Sequence, residues 1–154
     1  MRFGVIADTH GWLDPQVLRL FAGVDQILLA GDIGGMHVVE ALQEIAPVVA
    51  VRGNNDMCGD CSSLPDLAEV DVDGVMVRIS HFRDLALPGA AVAVFGHSHK
   101  AEWREIDGAW LMNPGAAGRR GFHRERFVAL LEVRRGAQPR GEHLSLGARS
   151  RAAR

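Results

Sequence analysis

The sequence predicts an α/β fold in which two β-sheets pack face to face with helices outside. Three observations predict it. In the first third of the chain, short apolar runs alternate with helical patterns, the order that builds a parallel sheet through crossover connections. Further on, Asp73-Gly74 and Asp107-Gly108 each separate two strand-like runs and signal hairpins. Finally, five of the runs end on polar residues, at Asp8-Thr9-His10, Gly31-Asp32, Gly53-Asn54-Asn55-Asp56, His81 and Gly96-His97-Ser98-His99. In open α/β sheets the strand ends are where side chains from different loops converge on a ligand.

Residues 3–7 form a continuous apolar run, the mark of a central strand covered on both faces. Asp14-Pro15 starts a helix with an N-cap carboxylate and a proline at the first helical position. Val17, Leu18, Leu20 and Phe21 supply its apolar face, and Gly23 ends it. Residues 25–30 are the second strand. Gly34-Gly35 turns into a helix over residues 36–45, where Val38, Val39, Leu42 and Ile45 recur at helical spacing before Pro47 stops it. Residues 48–51 are the third strand.

Past residue 64 the pattern changes. Runs 67–72 and 75–80 flank the first Asp-Gly pair, 103–106 and 109–112 flank the second, 90–95 is a short buried strand and 127–133 the last one. This half reads as mostly antiparallel. Residues 134–154 are rich in Arg, Gly and Ala, with little to bury beyond Leu144 and Leu146, and read as a solvated tail after a single domain over 1–133.

Composition narrows the function classes. At 154 residues, 47% hydrophobic and 23% charged, the chain can bury a real core as one domain. A net charge of -2 provides no global field for nucleic acid or anionic membrane, so any attraction for phosphate must be local. No apolar run approaches the ~20 residues that span a bilayer. The start of the chain turns polar too soon for a signal peptide, and the expectation is a cytoplasmic protein. Cys58 and Cys61 are too few for a disulfide framework or an all-cysteine zinc site and read as ordinary loop thiols.

The candidate metal ligands are Asp8, His10, Asp32, Asn54, His81, His97 and His99. Carboxylate, amide and imidazole together suit Mn, Fe, Co, Ni or Zn better than Ca, which prefers an all-oxygen shell. Seven ligands are too many for one small ion and suit two that share a carboxylate.

In this order, Asp8-x-His10, Gly31-Asp32, Gly53-Asn54, His81 and Gly96-His97-Ser98-His99 resemble the calcineurin-like metallophosphoesterases. The small size, the Gly53-Asn54-Asn55-Asp56 element and Asn113-Pro114-Gly115 are similar to the compact bacterial and archaeal phosphodiesterase branch. The resemblance implies a four-layer αββα sandwich with two mixed β-sheets and a dinuclear metal site at the strand ends. It implies that Asp8, His10, Asp32 and His99 hold one divalent ion and Asp32, Asn54, His81 and His97 the other, with Asp32 bridging. Manganese is the first choice, with Ni, Fe, Co or Zn as alternatives. The implied activity is hydrolysis of a small phosphodiester by a hydroxide shared between the ions, with Asp8, His10, Asp32, Asn54 and His97 at the catalytic centre. The alternative is a metal-binding scaffold of the same fold that works by binding other proteins, as a retromer subunit does. A homo-oligomer stays open, with Trp103 and Trp110 as candidate interface anchors or, more simply, core residues.

The chain departs from the family pattern at several positions. Many larger relatives carry histidine directly after the motif asparagine, where it helps protonate the leaving group; Asn55 stands there and cannot. Asp56 or a water is then left to serve, or the enzyme favours esters whose leaving group needs no proton. Phe82 replaces the usual glycine after His81 and is expected to pack rather than narrow the pocket, while the short 81–97 connection implies an open site. Ala116 follows Asn113-Pro114-Gly115 where serine is common, and that turn is expected to brace the metal loops. Arg119 and Arg120 are candidates to clamp phosphate and equally plausible as surface arginines. His37 and His123 match no motif position and read as surface residues.

Overall fold

In the computed structural model, which describes residues 1–149, the first half forms β1 (Arg2–Ile6), α1 (Gln16–Leu20), β2 (Gln26–Ala30), α2 (Met36–Gln43) and β3 (Val48–Val51). Two 3-10 turns follow, Asn54–Asp56 and Asp60–Ser63. The second half forms β4 (Leu67–Val72), β5 (Val75–Ser80), α3 (Arg83–Ala86), β6 (Val92–Val94), β7 (Glu102–Ile106), β8 (Ala109–Asn113), β9 (Glu125–Glu132) and β10 (Arg140–Ala148).

Two mixed five-stranded sheets result, ordered β10-β9-β1-β2-β3 and β4-β5-β6-β8-β7. As the alternating pattern predicts, β1, β2 and β3 are parallel, and β1 is central, with β9 antiparallel on its other side. Both Asp-Gly pairs close two-residue hairpins: Asp73 and Asp107 have φ of 50°, and Gly74 and Gly108 have 92° and 85°. Two successive positive φ values are what a type I′ turn requires. The second half is mostly antiparallel, as expected, through the pairs β4-β5, β7-β8 and β9-β10, but β6 departs from that pattern and lies parallel to both β5 and β8. Hairpin turns fix only the strands they join; the fully buried Val92, Ala93 and Val94 seek the middle of the sheet, between one strand of each hairpin.

Strand alternation divides the core in two. Phe3, Val5 and Ala7 join Val77, Ile79, Val92, Val94 and Met112 between the sheets. Ile6, Ile27 and Leu29 join Val17, Phe21, Val38 and Leu42 under α1 and α2. Burying each such large side chain contributes about 1.5–3 kcal/mol. Helix α1 is too short to bury all the apolar residues expected of it, and Leu18 stays 54% exposed. The outer layer on the second sheet is a single helical turn, α3, packed on β5 and β6. Trp103 and Trp110 stack with centroids 4.7 Å apart against the inter-sheet core.

The expectation of a solvated tail from residue 134 is also corrected for the described residues. Strand β10 pairs antiparallel along the length of β9, with an irregularity between Ser145 and Gly147. Leu144 and Leu146 share one face and pack into the helix-side core, whereas a Cβ on Gly141 would meet Trp103 at 2.6 Å. Composition hid this strand, since two leucines at i and i+2 suffice when the neighbouring strand supplies the hydrogen bonds. The rest of the tail, 150–154, lies outside the described residues. Among the described residues, no helix is long and apolar enough to cross a membrane.

Candidate metal centre

The loops after β1, β2, β3, β5 and β6 meet at one end of the sandwich, tied by backbone hydrogen bonds. Asp8 N–H donates to Gly31 at 3.0 Å, His10 N–H to Asp32 at 3.0 Å, and Gly96 N–H to His81 at 3.1 Å. Five of the seven candidate ligands hold left-handed backbone: Asp8 (φ 57°), His10 (46°), Asp32 (50°), His97 (71°) and His99 (62°). Such conformations cost an L-residue about 1–2 kcal/mol each and persist where the surroundings over-determine them. Each turns a side chain inward at the point where its strand stops. Gly53 must be glycine for this closeness, because a Cβ there would fall 2.1 Å from Asp32 Oδ1.

The seven side chains come together. Asp32 Oδ2 lies 3.4 Å from His81 Nε2 and 3.9 Å from His10 Nε2, so this carboxylate stands between two groups of ligands. Asp8 Oδ1 lies 3.4 Å from His99 Nε2 and 3.9 Å from His81 Nε2. Asn54 Oδ1 and His97 Nδ1 are 3.2 Å apart, and the His97 ring packs edge-on against His81. The sets Asp8, His10, His99 and Asp8, Asp32, His81 each present ligand atoms within 4.8 Å of one another. Asp8 thus takes part in both, which the motif pattern alone does not suggest.

Protonation logic fits a cation. His81 Nδ1 is 2.8 Å from the Ala30 carbonyl, which only accepts, so Nδ1 carries hydrogen and the neutral ring keeps a lone pair at Nε2. That Nε2 and Asp8 Oδ1 are buried with no hydrogen-bond partner. Two carboxylates and an imidazole lone pair facing one another out of water are costly, and a divalent ion satisfies all of them. Burial pushes the Asp32 pKa up, but the facing His81 imidazole, the hydrogen bond from the Asn55 N–H and the charge of His10 hold it below the ordinary carboxylate value. Burial pushes His81 down, but Asp32 and the charge of Asp8 raise its pKa above the usual imidazole value. The carboxylates that attract a proton to Nε2 would attract a metal ion more strongly.

Residues 1–136 match the calcineurin-like phosphoesterase superfamily domain. The chain belongs to that superfamily. A probable metallophosphoesterase of Methanothermobacter thermautotrophicus is 31% identical over 133 aligned positions, covering 75% of this chain and 77% of the relative. A phosphodiesterase of Methanocaldococcus jannaschii is 24% identical over 138 positions, covering 75% and 83%. Among solved structures, wild-type Vps29 of Entamoeba histolytica complexed with zinc has the same fold, with a TM-score of 0.71 at 21% identity over 94% of this chain and 99% of that one. Calcineurin-like phosphoesterases use divalent metals and act on phosphate esters, and the clustered carboxylates and histidines of this member are candidate metal ligands.

In this phosphoesterase the cleft over the cluster has a volume of about 1130 Å³, and Lys100, Arg119 and Arg120 line it. Both candidate phosphate arginines therefore face the site, with the Arg119 guanidinium 4.4 Å from the centroid of the Trp12 ring. Asp56, 2% exposed, accepts from the N–H groups of Ile33 (3.0 Å), Gly34 (3.1 Å) and Gly53 (2.8 Å) and braces the loops rather than entering the cleft. This corrects its reading as a stand-in proton donor. Asn113 braces as expected, donating to the Gly96 carbonyl and Ser98 Oγ at 3.1 Å each. Phe82 is 42% exposed and packs on the His81 and His97 rings. His37 and His123, expected at the surface away from the motifs, both line the cleft. His123 touches His99, and burial with the nearby His99 and Arg149 holds its pKa below the ordinary imidazole value. A lone histidine in a Gly-Arg-rich loop carries no local signal of this. Cys58 and Cys61 are free thiols, the second buried in the helix-side core.

Proposed function

We propose that this protein is a phosphodiesterase that depends on two divalent ions, manganese first among them. The observation that carries this is the buried meeting of Asp8, Asp32 and the unpartnered His81 Nε2 beneath a cleft lined by Asp32, Lys100, Arg119 and Arg120. Asp8, His10, Asp32 and His99 would hold one ion, and Asp32, Asn54, His81 and His97 the other. Bound there, the ions supply Lewis-acid stabilisation of charge on the phosphoryl oxygens and a water-derived nucleophile at neutral pH.

The chain's own groups do the rest. Asp8 and Asp32 contribute two negative charges against four positive ones, so the loaded site keeps roughly +2 and draws an anionic ester to a protein of mild net negative charge. Lys100, Arg119 and Arg120 bind its non-bridging oxygens and orient it. Hydrolysis places a hydroxyl on phosphorus, breaks the bond to the leaving oxygen and releases a monoester and an alcohol or phenol. Asn55 supplies no proton to that oxygen. The free thiols suit a reducing cytoplasm.

The test is turnover of a chromogenic phosphodiester with and without manganese. Metal-stimulated hydrolysis that disappears in Asp32→Ala and His97→Ala, with unchanged folding, is the expected result. A second reading is favoured by one observation: Phe122 is fully exposed at the cleft, where an apolar side chain suits a protein partner as well as a substrate. Tight manganese binding without any turnover would select that scaffold reading.

A further inference from the structure

We propose that His123 is a positioning residue that fixes the tautomer of His99 and thereby sets how tightly the site holds its ion. This rests on the assignment of His99 as a metal ligand made above.

His123 lies in the connection between β8 and β9, and its Nε2 is 2.9 Å from the Gly118 carbonyl oxygen. A carbonyl cannot donate, so Nε2 carries the hydrogen and the neutral ring offers a lone pair at Nδ1. That Nδ1 is 3.2 Å from His99 Nδ1. The hydrogen of this contact must therefore come from His99, which leaves the His99 Nε2 lone pair 3.4 Å from Asp8 Oδ1, inside the Asp8, His10, His99 group. The opposite polarity fails twice. It sets a His123 lone pair against the Gly118 oxygen or requires an imidazolium beside the metal ligands, and it puts the His99 proton on Nε2, where the ion belongs.

The backbone around the pair is built for it. Gly118 N–H donates to the Asp8 carbonyl at 3.0 Å, and a Cβ on Gly118 would fall 2.5 Å from the Thr9 oxygen, so the carbonyl that holds His123 is itself held by the ligand loop. Gly121 covers the two rings so closely that a Cβ there would lie 2.4 Å from His99 Nδ1 and 2.9 Å from His123 Nδ1. The chain of contacts closes on itself: Asp8 backbone, Gly118, His123, His99, and back to the Asp8 carboxylate. A partner on the far nitrogen of a ligating imidazole orients the ring and raises its basicity, and its loss lowers metal affinity roughly 10–100-fold.

The test combines calorimetric titration of manganese and zinc with imidazole NMR of the zinc-loaded protein, comparing wild type, His123→Phe and His123→Gln. The expected spectrum has hydrogen on Nδ1 of His99 and on Nε2 of His123. His123→Phe is expected to bind both ions roughly 10–100-fold more weakly. His123→Gln, whose amide oxygen can accept from His99, is expected to recover most of the affinity. Equal affinity in wild type and His123→Phe overturns the proposal, as does equal weakening in the two variants. Should the Phe variant not fold, the wild-type spectrum decides alone, since hydrogen on His123 Nδ1 overturns the proposal. A wild-type protein that binds neither ion refutes the metal centre itself, a different result from any of these.

Discussion

The Asn55 side-chain amide donates to Asp32 Oδ2 at 3.0 Å while its backbone N–H donates to Oδ1 at 2.9 Å. Both oxygens of the proposed bridging carboxylate are thus oriented by the residue that stands where larger relatives have a proton-donating histidine. Asn55 orients that carboxylate and has no proton to offer a leaving group.

The first prediction concerns the leaving group. With Asn55 unable to protonate it and Asp56 engaged by backbone, turnover depends on how well the departing oxygen carries negative charge. Aryl phosphodiesters with acidic phenols are expected to react roughly 10²–10⁴-fold faster than alkyl ones, the share that a positioned general acid usually supplies. Steady-state rates across a series of leaving groups check this, and rates independent of leaving-group pKa would contradict it.

Asp56 is expected to be a stability residue. Replacing it by Ala strands the N–H groups of Ile33, Gly34 and Gly53 and should cost about 3 kcal/mol, since bonds to a charged acceptor contribute more than neutral ones. Urea unfolding reads the loss as a lower midpoint at unchanged slope. A midpoint like that of the wild type would show that these loops hold without it.

Acid sensitivity should trace partly to Asp14, which is 5% exposed and bonded to Arg126 Nη1 at 2.5 Å. Burial pushes its carboxyl pKa up, but the Arg126 hydrogen bond and those from Gln16 outweigh this and hold it below the ordinary 3.8. A carboxyl whose pKa is depressed by folding stabilises the fold fully above its unfolded value and loses that contribution as pH falls through the folded value. Wild type should therefore exceed Asp14→Asn in stability at pH 5–7, and the difference should shrink below pH ~4. Unfolding curves for the pair at several pH values measure it; a gap that widens in acid has the wrong sign.

The two thiols should differ in reactivity. Burial, with the charge of Asp56, pushes the Cys61 thiol up to about 11, whereas Cys58 is exposed. Thiolate is the reactive form, so a thiol reagent at pH ~8 should titrate one group in the native protein and two in urea. Rapid titration of both in the native state would place Cys61 at the surface.

The extent to which the sequence alone specified this protein follows from the range of each interaction. Apolar runs bounded by glycine or proline gave strands such as β3, β4 and β5 with the same ends that the structure has, because strand burial and Asp-Gly turns act between near neighbours. The seven candidate ligands were legible for the same reason: they sit just past the ends of five strands, and the family motif states their order. Partnership across the fold was not legible. The place of β6 between two hairpins, the pairing of β10 with β9, the role of Asp56 as a brace and the contact of His123 with His99 all join segments with no local mark of each other. Sequence thus determined which side chains are the candidates for the chemistry. Tertiary structure decided which neighbours hold them, because hydrogen-bond donors and acceptors are assigned by distance in space, which the linear chain does not encode residue by residue.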